Sequence, residues 1–155
     1  MQITLRPITP DNWRDCIRLE IHEHQQGFVA PNVYSLAQAY VFAEDTPLAI
    51  YADETVVGFL MYALDPEDNK YWIFRFMIDR EQQGKGYGRK AFEAYIDLMR
   101  AQPDCDTIWL SINAANTVAE QLYRSLGFVP TGVIQDDGEI EMCLRLANGG
   151  NEPLH

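Results

Sequence analysis

Apolar and polar residues alternate through "QITLRPI" near the start of the chain, the period-two pattern of a half-buried strand. Thr9, Pro10 and Asp11 then read as a helix start, with Trp13, Ile17 and Ile21 on one face of the helix that follows. A second helical pattern runs through "VYSLAQAYVFAED". Next, "LAIYADETVVGFLMYAL" predicts two strands turning around Asp53 and Glu54, a hairpin. "KYWIFRFMI", dense in aromatic and β-branched residues, predicts a further strand.

The second half repeats a strand-then-helix rhythm. "GYGRKAFEAYIDLMR" carries Ala91, Tyr95, Leu98 and Met99 at helical spacing, and "TIWLSI" reads as a strand. "NTVAEQLYRSLGF" is a helix with both ends marked. Thr117 and Glu120 fit a capping box, Asn116 is an alternative N-cap, Gly127 suits a left-handed C-cap, and Val118, Leu122 and Leu126 would form the buried stripe. "FVPTGVIQDDGEIEMCLRL" reads as two strands joined through "DDG". Strands outnumber helices and helices separate several of them, so the expected class is α/β or α+β with a mixed sheet. We expect one domain over residues 1–146 and a flexible tail over 147–155, "ANGGNEPLH".

Composition narrows the function. Twelve Lys and Arg against 23 Asp and Glu give a formal net charge of −11, which repels phosphate backbones and attracts cations, polyamines among them. No nucleic-acid partner is expected; the charge also serves plain solubility. No apolar run approaches the about 20 residues of a membrane helix, and "MQITLRPITPDNW" shows no basic leader with an apolar stretch, so we expect a cytoplasmic protein without a membrane partner. Cys16, Cys105 and Cys143 are scattered, odd in number and free of any CxxC pattern, and read as small buried hydrophobes. His22 and His24 would point about 200° apart on a helix, poor metal geometry, and no metal site is expected.

The chemistry concentrates in "EQQGKGYGRK", residues 81–90, between an expected strand and an expected helix. A helix N-terminus offers unpaired N–H groups and a partial positive charge, and glycines ahead of it let an anion touch several N–H groups together. A phosphate site is the functional reading; a bare turn is the structural one. The Walker pattern does not fit, and glycine at every second position (84, 86, 88) breaks the dinucleotide fingerprint.

"FMIDREQQGKGYGRKAF" resembles the acyl-CoA-binding motif of the GNAT superfamily of N-acetyltransferases, with Gln83, Gly86 and Gly88 in register and Arg89 following. Downstream, "NAANTVAEQLYRSLGFVPTG" resembles the family's next motif through Asn116, Ala119, Tyr123 and "LGF". With the flanking strands the likeness covers about residues 47–146. The segment "QQGFVAPNVYSLAQAY" further resembles the spermine/spermidine acetyltransferase subgroup.

The resemblance implies a mixed sheet of about six to seven strands splayed at the cofactor site, about four helices, acetyl-CoA as co-substrate, no metal, and a homodimer. It implies that Gly84, Gly86 and Gly88 hold the pyrophosphate with Gln83, Lys85, Tyr87 and Arg89 around them. It further implies that Phe76, Met77 and Ile78 pair with the pantetheine arm, and that Asn116 and Ala119 flank it. An N–H of Met77 or Ile78 would face the acetyl oxygen and stabilise a tetrahedral intermediate. Tyr123 is the expected general acid for the leaving thiol, although a helical aromatic beside Leu122 and Leu126 is also an ordinary core residue. No carboxylate lies on "YWIFRFMI" or "TIWLSIN", so the base is sought at Glu20, Glu23 or Glu44, or in a water relay. Arg75, Trp72 and Trp109 fit either the core or the acceptor cleft.

The expected activity is acetyl transfer to a small cationic amine, a polyamine first. A protein N-terminus, an aminoglycoside or another amine is the alternative within enzymes, and a non-catalytic acyl-CoA sensor the alternative outside them. A purely structural domain, and a cysteine acyltransferase built on Cys16 and His22, complete the set.

Overall fold

The computed structural model describes residues 1–146; the tail expected over 147–155 lies outside the described residues. Seven strands form one sheet: β1 (Ile3–Pro7), β2 (Asp45–Ala52), β3 (Thr55–Leu64), β4 (Tyr71–Ile78), β5 (Thr107–Ile112), β6 (Val129–Ile134) and β7 (Ile140–Arg145), in the order β1-β2-β3-β4-β5-β7-β6. Four α-helices accompany them: α1 (Trp13–Arg18), α2 (Asn32–Val41), α3 (Tyr87–Arg100) and α4 (Thr117–Ser125). The strand and hairpin expectations hold, and the class is α+β with a mixed sheet.

Alternation along the strands feeds two cores. Leu48, Ile50, Leu60, Ile73, Ile108, Leu110 and Met142 face α3 and α4, meeting Phe92, Tyr95, Ile96, Met99 and Tyr123. The intervening Ala49, Phe59, Met61 and Met77 face α1 and α2 through Cys16, with Leu36 and Ala39 packed against them. The buried residues of α3 recur at helical spacing (Ala91, Phe92, Tyr95, Ile96, Met99), so its apolar stripe decides which face it covers. The α1 pattern is shorter than expected: the helix ends at Arg18, Trp13 is 40% exposed, and Ile21 lies in the following loop.

The centre of the sheet is its weakest seam. β4 and β5 run parallel, as the crossover through α3 allows, but they pair only at Tyr71–Ile108 and Trp72–Trp109. Beyond that the strands part. On the other side of β4, Met61 faces Arg75 whereas Tyr62 faces Ile73, so Phe74 is an extra, bulged residue at the point of parting. A bulge bends its strand and increases the local twist, which carries the rest of β4 away from β5. The result is a slot through the sheet, walled by Phe74–Ile78 on one side. Gly58, opposite Ile78, is a close approach: a Cβ there would stand 2.6 Å from the Met77 carbonyl oxygen.

Candidate functional site

The loop between β4 and α3 ends in two left-handed glycines, Gly84 (φ +81°) and Gly86 (φ +82°), and Gly86 is the N-cap of α3. A Cβ at either would meet nothing within 4 Å, so the protein leaves open space above them. No side chain caps α3 and its first turn carries no acid; the first helical bond is Lys90 N–H to Gly86 C=O at 3.3 Å. The N–H groups ahead of Lys90 are therefore free to meet an anion at the positive end of a 14-residue helix.

A cleft of about 230 Å³ runs from this loop into the slot. It brings together Phe76, Met77, Ile78, Gln83, Gly84, Gly86, Tyr87, Gly88, Asn116, Ala119 and Tyr123, and adds Ile21, Gln25, Phe28 and Val29 from the segment joining α1 to α2. Lys85 and Arg89 stand outside its lining. Lys85 Nζ donates to Gln82 Oε1 at 3.0 Å, and the Arg89 guanidinium donates to Ser125 Oγ, tying the start of α3 to the end of α4.

Strand pairing decides which backbone groups face the slot. Asp79 N–H donates to Val57 C=O at 2.8 Å, and antiparallel pairs alternate, so the Met77 peptide also points toward β3. The N–H groups of Phe76 and Ile78 point into the slot instead. Of the two donors expected for an acyl oxygen, Met77 is thus committed to the sheet. Gln83 Nε2 covers the Ile78 carbonyl at 2.9 Å, so this side chain braces the strand at the edge of the cleft.

The two ends of α4 place its cleft residues. Asn116, not Thr117, is the N-cap: its Oδ1 accepts Ala119 N–H at 3.3 Å, leaving the Nδ2 amide available to the cleft. At the other end Gly127 adopts φ +103°, Phe128 N–H bonds Tyr123 C=O and Gly127 N–H bonds Arg124 C=O, each at 3.0 Å, which is a Schellman stop. That stop seats the Phe128 ring 5.8 Å from the Tyr123 ring, with Phe92 at 5.0 Å. Burial pushes the Tyr123 phenol well above its ordinary pKa, so it keeps its proton. Val118, expected in the buried stripe, is 73% exposed and lines the cleft mouth; Leu122 and Leu126 do pack against the core.

A second cavity, about 620 Å³, begins where the first leaves off along β4: Trp72 and Phe74 wall it, with Gln38 and Phe42 from α2 and its exit, Ser111 from β5 and Glu141 from β7. Six carboxylates line it (Glu44, Asp45, Asp65, Glu67, Asp68, Glu141) against a single cation, Lys70. Glu141 is only 8% exposed and is held by Thr131 Oγ1 at 2.9 Å and Gln135 Nε2 at 3.0 Å. Burial and then the Glu44 charge push the Asp45 carboxyl above its usual range against the pull of Arg75, and its Oδ2 is shielded with no hydrogen-bond partner among the described residues.

Of the acids singled out in the sequence, Glu44 lies in this cavity. Glu20 pairs with Arg80 at 3.5 Å, Glu23 opens an exposed 3-10 turn, and neither lines either cavity. The remaining cavity acids come from three places in the chain: Asp45 beside Glu44, then Asp65, Glu67 and Asp68 just after β3, and Glu141 in β7; no local pattern marks them as partners. Trp72 is a cavity wall; Trp109 packs on it at 6.0 Å with Lys70 Nζ 4.1 Å above its ring. Arg75 is a half-buried strut, donating to Ser35 at 3.0 Å and Gln38 at 2.9 Å.

The cysteine chemistry loses ground on geometry. Cys16 is fully buried and its thiol is pushed up to about 11 by burial, the opposite of a poised nucleophile. Cys105 is buried and Cys143 half-buried. His22 and His24 stack 5.4 Å apart, and among the described residues no group of three metal-ligating side chains converges. No helix among them is long and apolar enough to cross a membrane.

Comparison with known proteins agrees with this architecture. Residues 12–128 match the acetyltransferase (GNAT) family. The chain is 34% identical over 152 residues to a spermine/spermidine N(1)-acetyltransferase of Bacillus subtilis (strain 168), covering 94% of this chain and all of that one. A probable spermine N(1)-acetyltransferase of Bacillus subtilis subsp. natto shows the same identity and coverage. The crystal structure of a Vibrio cholerae spermidine N-acetyltransferase, solved with CoA and spermine, superposes with a TM-score of 0.73 at 18% identity, over 93% of this chain and 95% of that one.

Proposed function

This chain belongs to the GNAT family of acetyltransferases and is an acetyl-CoA-dependent N-acetyltransferase; on that premise we propose that its acceptor is a polyamine, spermidine or spermine. The observation that carries the acceptor is the acid-lined cavity abutting the slot at Phe74. A polyamine extends several ammonium groups along an apolar chain, and carboxylates interleaved with Trp72, Phe74 and Phe42 suit both parts. The full-length similarity to polyamine acetyltransferases supports the same acceptor.

In this proposal the cofactor lies on the α3–α4 side and the amine on the α2–β7 side, meeting through the slot. The N–H groups at the head of α3, around Gly84, Gly86 and Gly88, receive the pyrophosphate. The outward edge of Phe76 and the Ile78 N–H pair with the pantetheine arm as an added strand would, the Ile78 carbonyl being taken by Gln83, with Asn116 Nδ2 and Ala119 across from it. One of those two N–H groups stabilises the oxygen that turns anionic when the amine attacks. Nitrogen bonds to the acetyl carbon, the carbon–sulfur bond breaks, Tyr123 gives the sulfur a proton, and the proton that the nitrogen sheds on becoming an amide restores the phenol. Burial that disfavours a tyrosinate disfavours a thiolate in the same cleft, so the two proton affinities move together.

An amine with a pKa of about 10 must first lose a proton. Ser111 lines the amine cavity and donates to Glu139 Oε1 at 2.7 Å, which offers an outward route to a carboxylate. Residues 1–146 serve as one catalytic domain, working as a cytoplasmic homodimer without nucleic-acid or membrane partners, in keeping with the net charge of −11.

The test is thiol release from acetyl-CoA with spermidine, spermine, an aminoglycoside and a short peptide as acceptors. Release that requires a polyamine is the expected result. Release with the peptide or aminoglycoside alone overturns the acceptor, and silence with every amine, while acetyl-CoA still raises the melting temperature, favours an acyl-CoA sensor.

A further inference from the structure

The segment between α1 and α2 closes one wall of the cofactor cleft with Ile21, Gln25, Phe28 and Val29. Two fastenings hold it to the loop after β4. The first is largely main chain: Glu20 N–H donates to Asp79 Oδ1 at 2.9 Å and Arg80 N–H to Glu20 C=O at 2.7 Å. The second is a relay of side-chain amides. His22 N–H donates to Gln25 Oε1 at 3.0 Å, and the same oxygen accepts Gln83 Nε2 at 3.0 Å. Gln83 Nε2 also donates to the Ile78 carbonyl at 2.9 Å, while Gln25 Nε2 returns a bond to Gln83 Oε1 at 3.3 Å.

Backbone groups fix the polarity of this relay at both ends. Only an oxygen can face the His22 N–H, and only an N–H can face the Ile78 carbonyl. Neither amide can turn over without leaving two groups unpaired. The consequence falls on the slot edge. Uncovered, the Ile78 carbonyl would present an acceptor to a ligand whose pyrophosphate and amide oxygens are acceptors too. A Gln83 side chain released from Gln25 regains its rotamer freedom and could turn its own oxygen into the cleft.

We infer that Gln25 is a positioning residue for acetyl-CoA: acting through Gln83, it keeps the Ile78 carbonyl covered and the entry to the glycine loop in its binding geometry. The inference rests on the acetyl-CoA reading of the cleft. It assigns work to a residue outside the glycine motif, 58 positions from its partner.

The measurements are coenzyme A titration by calorimetry and steady-state kinetics on the full chain. Wild-type binding comes first, since its absence would overturn this inference and the proposed function together. Gln25→Leu should weaken coenzyme A about five- to tenfold, as loss of a neutral hydrogen bond does. KM for acetyl-CoA should rise with it, and kcat should stay within about twofold. Because the Glu20–Asp79–Arg80 fastening remains, the melting temperature should stay close to that of the wild type. Gln25→Asn keeps an amide but stops one methylene short, and should behave as Gln25→Leu does. Since Gln25 acts through Gln83, the Gln25→Leu/Gln83→Leu double variant should be no weaker than Gln83→Leu alone. Unchanged affinity in both Gln25 variants of a protein that binds coenzyme A, or penalties that add in the double variant, would overturn the inference.

Discussion

Tyr123 owes its place to the residues that stop its helix. Gly127 alone can take φ +103° without strain, and the turn it makes folds Phe128 back on the tyrosine. The phenol is thereby fixed at the cleft and shielded from water. Tyr123→Phe keeps the packing and removes the proton. We expect turnover to fall by about 100-fold or more, the usual share of a general acid, with coenzyme A affinity unchanged. Comparable turnover in that variant would remove Tyr123 from the mechanism. The raised phenol pKa also sets a sign for the pH profile, because the proton-bearing form persists above the ordinary tyrosine value of about 10. Activity should therefore climb with pH as the amine deprotonates, with no falling limb from Tyr123 up to about pH 10. A falling limb near pH 8 that disappears in Tyr123→Phe would contradict this.

At the scale of elements, the site is made by an interruption. β4 and β5 pair for two residues and separate at the Phe74 bulge, and α3 and α4 then begin at the open end with free N–H groups and a free Asn116 amide. Gly86→Val tests the head of α3. A valine there would be strained by about 1–3 kcal/mol at positive φ, yet its Cβ meets no protein atom within 4 Å, so the fold should survive. Its branched side chain would occupy the space above the N–H groups. The expected result is a folded protein whose coenzyme A titration is silent; normal binding would mean that the phosphate lies elsewhere.

At the scale of the molecule, 23 acids are spread so that six line one cavity. Asp45 shows what that costs. Its carboxyl pKa is raised in the folded state, so proton uptake favours folding and the charged form costs stability once pH passes the unfolded value of about 4. Asp45→Asn should hold or raise the melting temperature at pH 7 while raising KM for spermidine. A variant that is less stable and binds spermidine normally would refute the role. Long-range attraction should also appear as salt dependence. The Debye length falls from about 30 Å at 0.01 M to about 10 Å at 0.1 M, so KM for spermidine should rise over that range far more than KM for acetyl-CoA.

Much of this was legible in the chain. Period-two and period-3.6 patterns marked the strands and the longer helices because burial on one face imposes them directly. The glycines at 84 and 86 and the "LGF" stop were legible because backbone conformation at those positions admits few residue types. These local rules determined the elements, the glycine loop proposed to hold phosphate and the candidate acid. Tertiary structure alone decided the rest. Met77 and Ile78 are neighbours in sequence, and only the register against β3 turns one N–H inward and leaves the other free. Val118 reads as core by spacing, but the slot beside α4 leaves it open. The acids of the second cavity, and the amide relay from Gln25 to Ile78, join segments whose approach depends on where β4 leaves β5. A charge or an amide has no periodicity of its own, and its partner is chosen by the packing of elements that the local pattern does not encode.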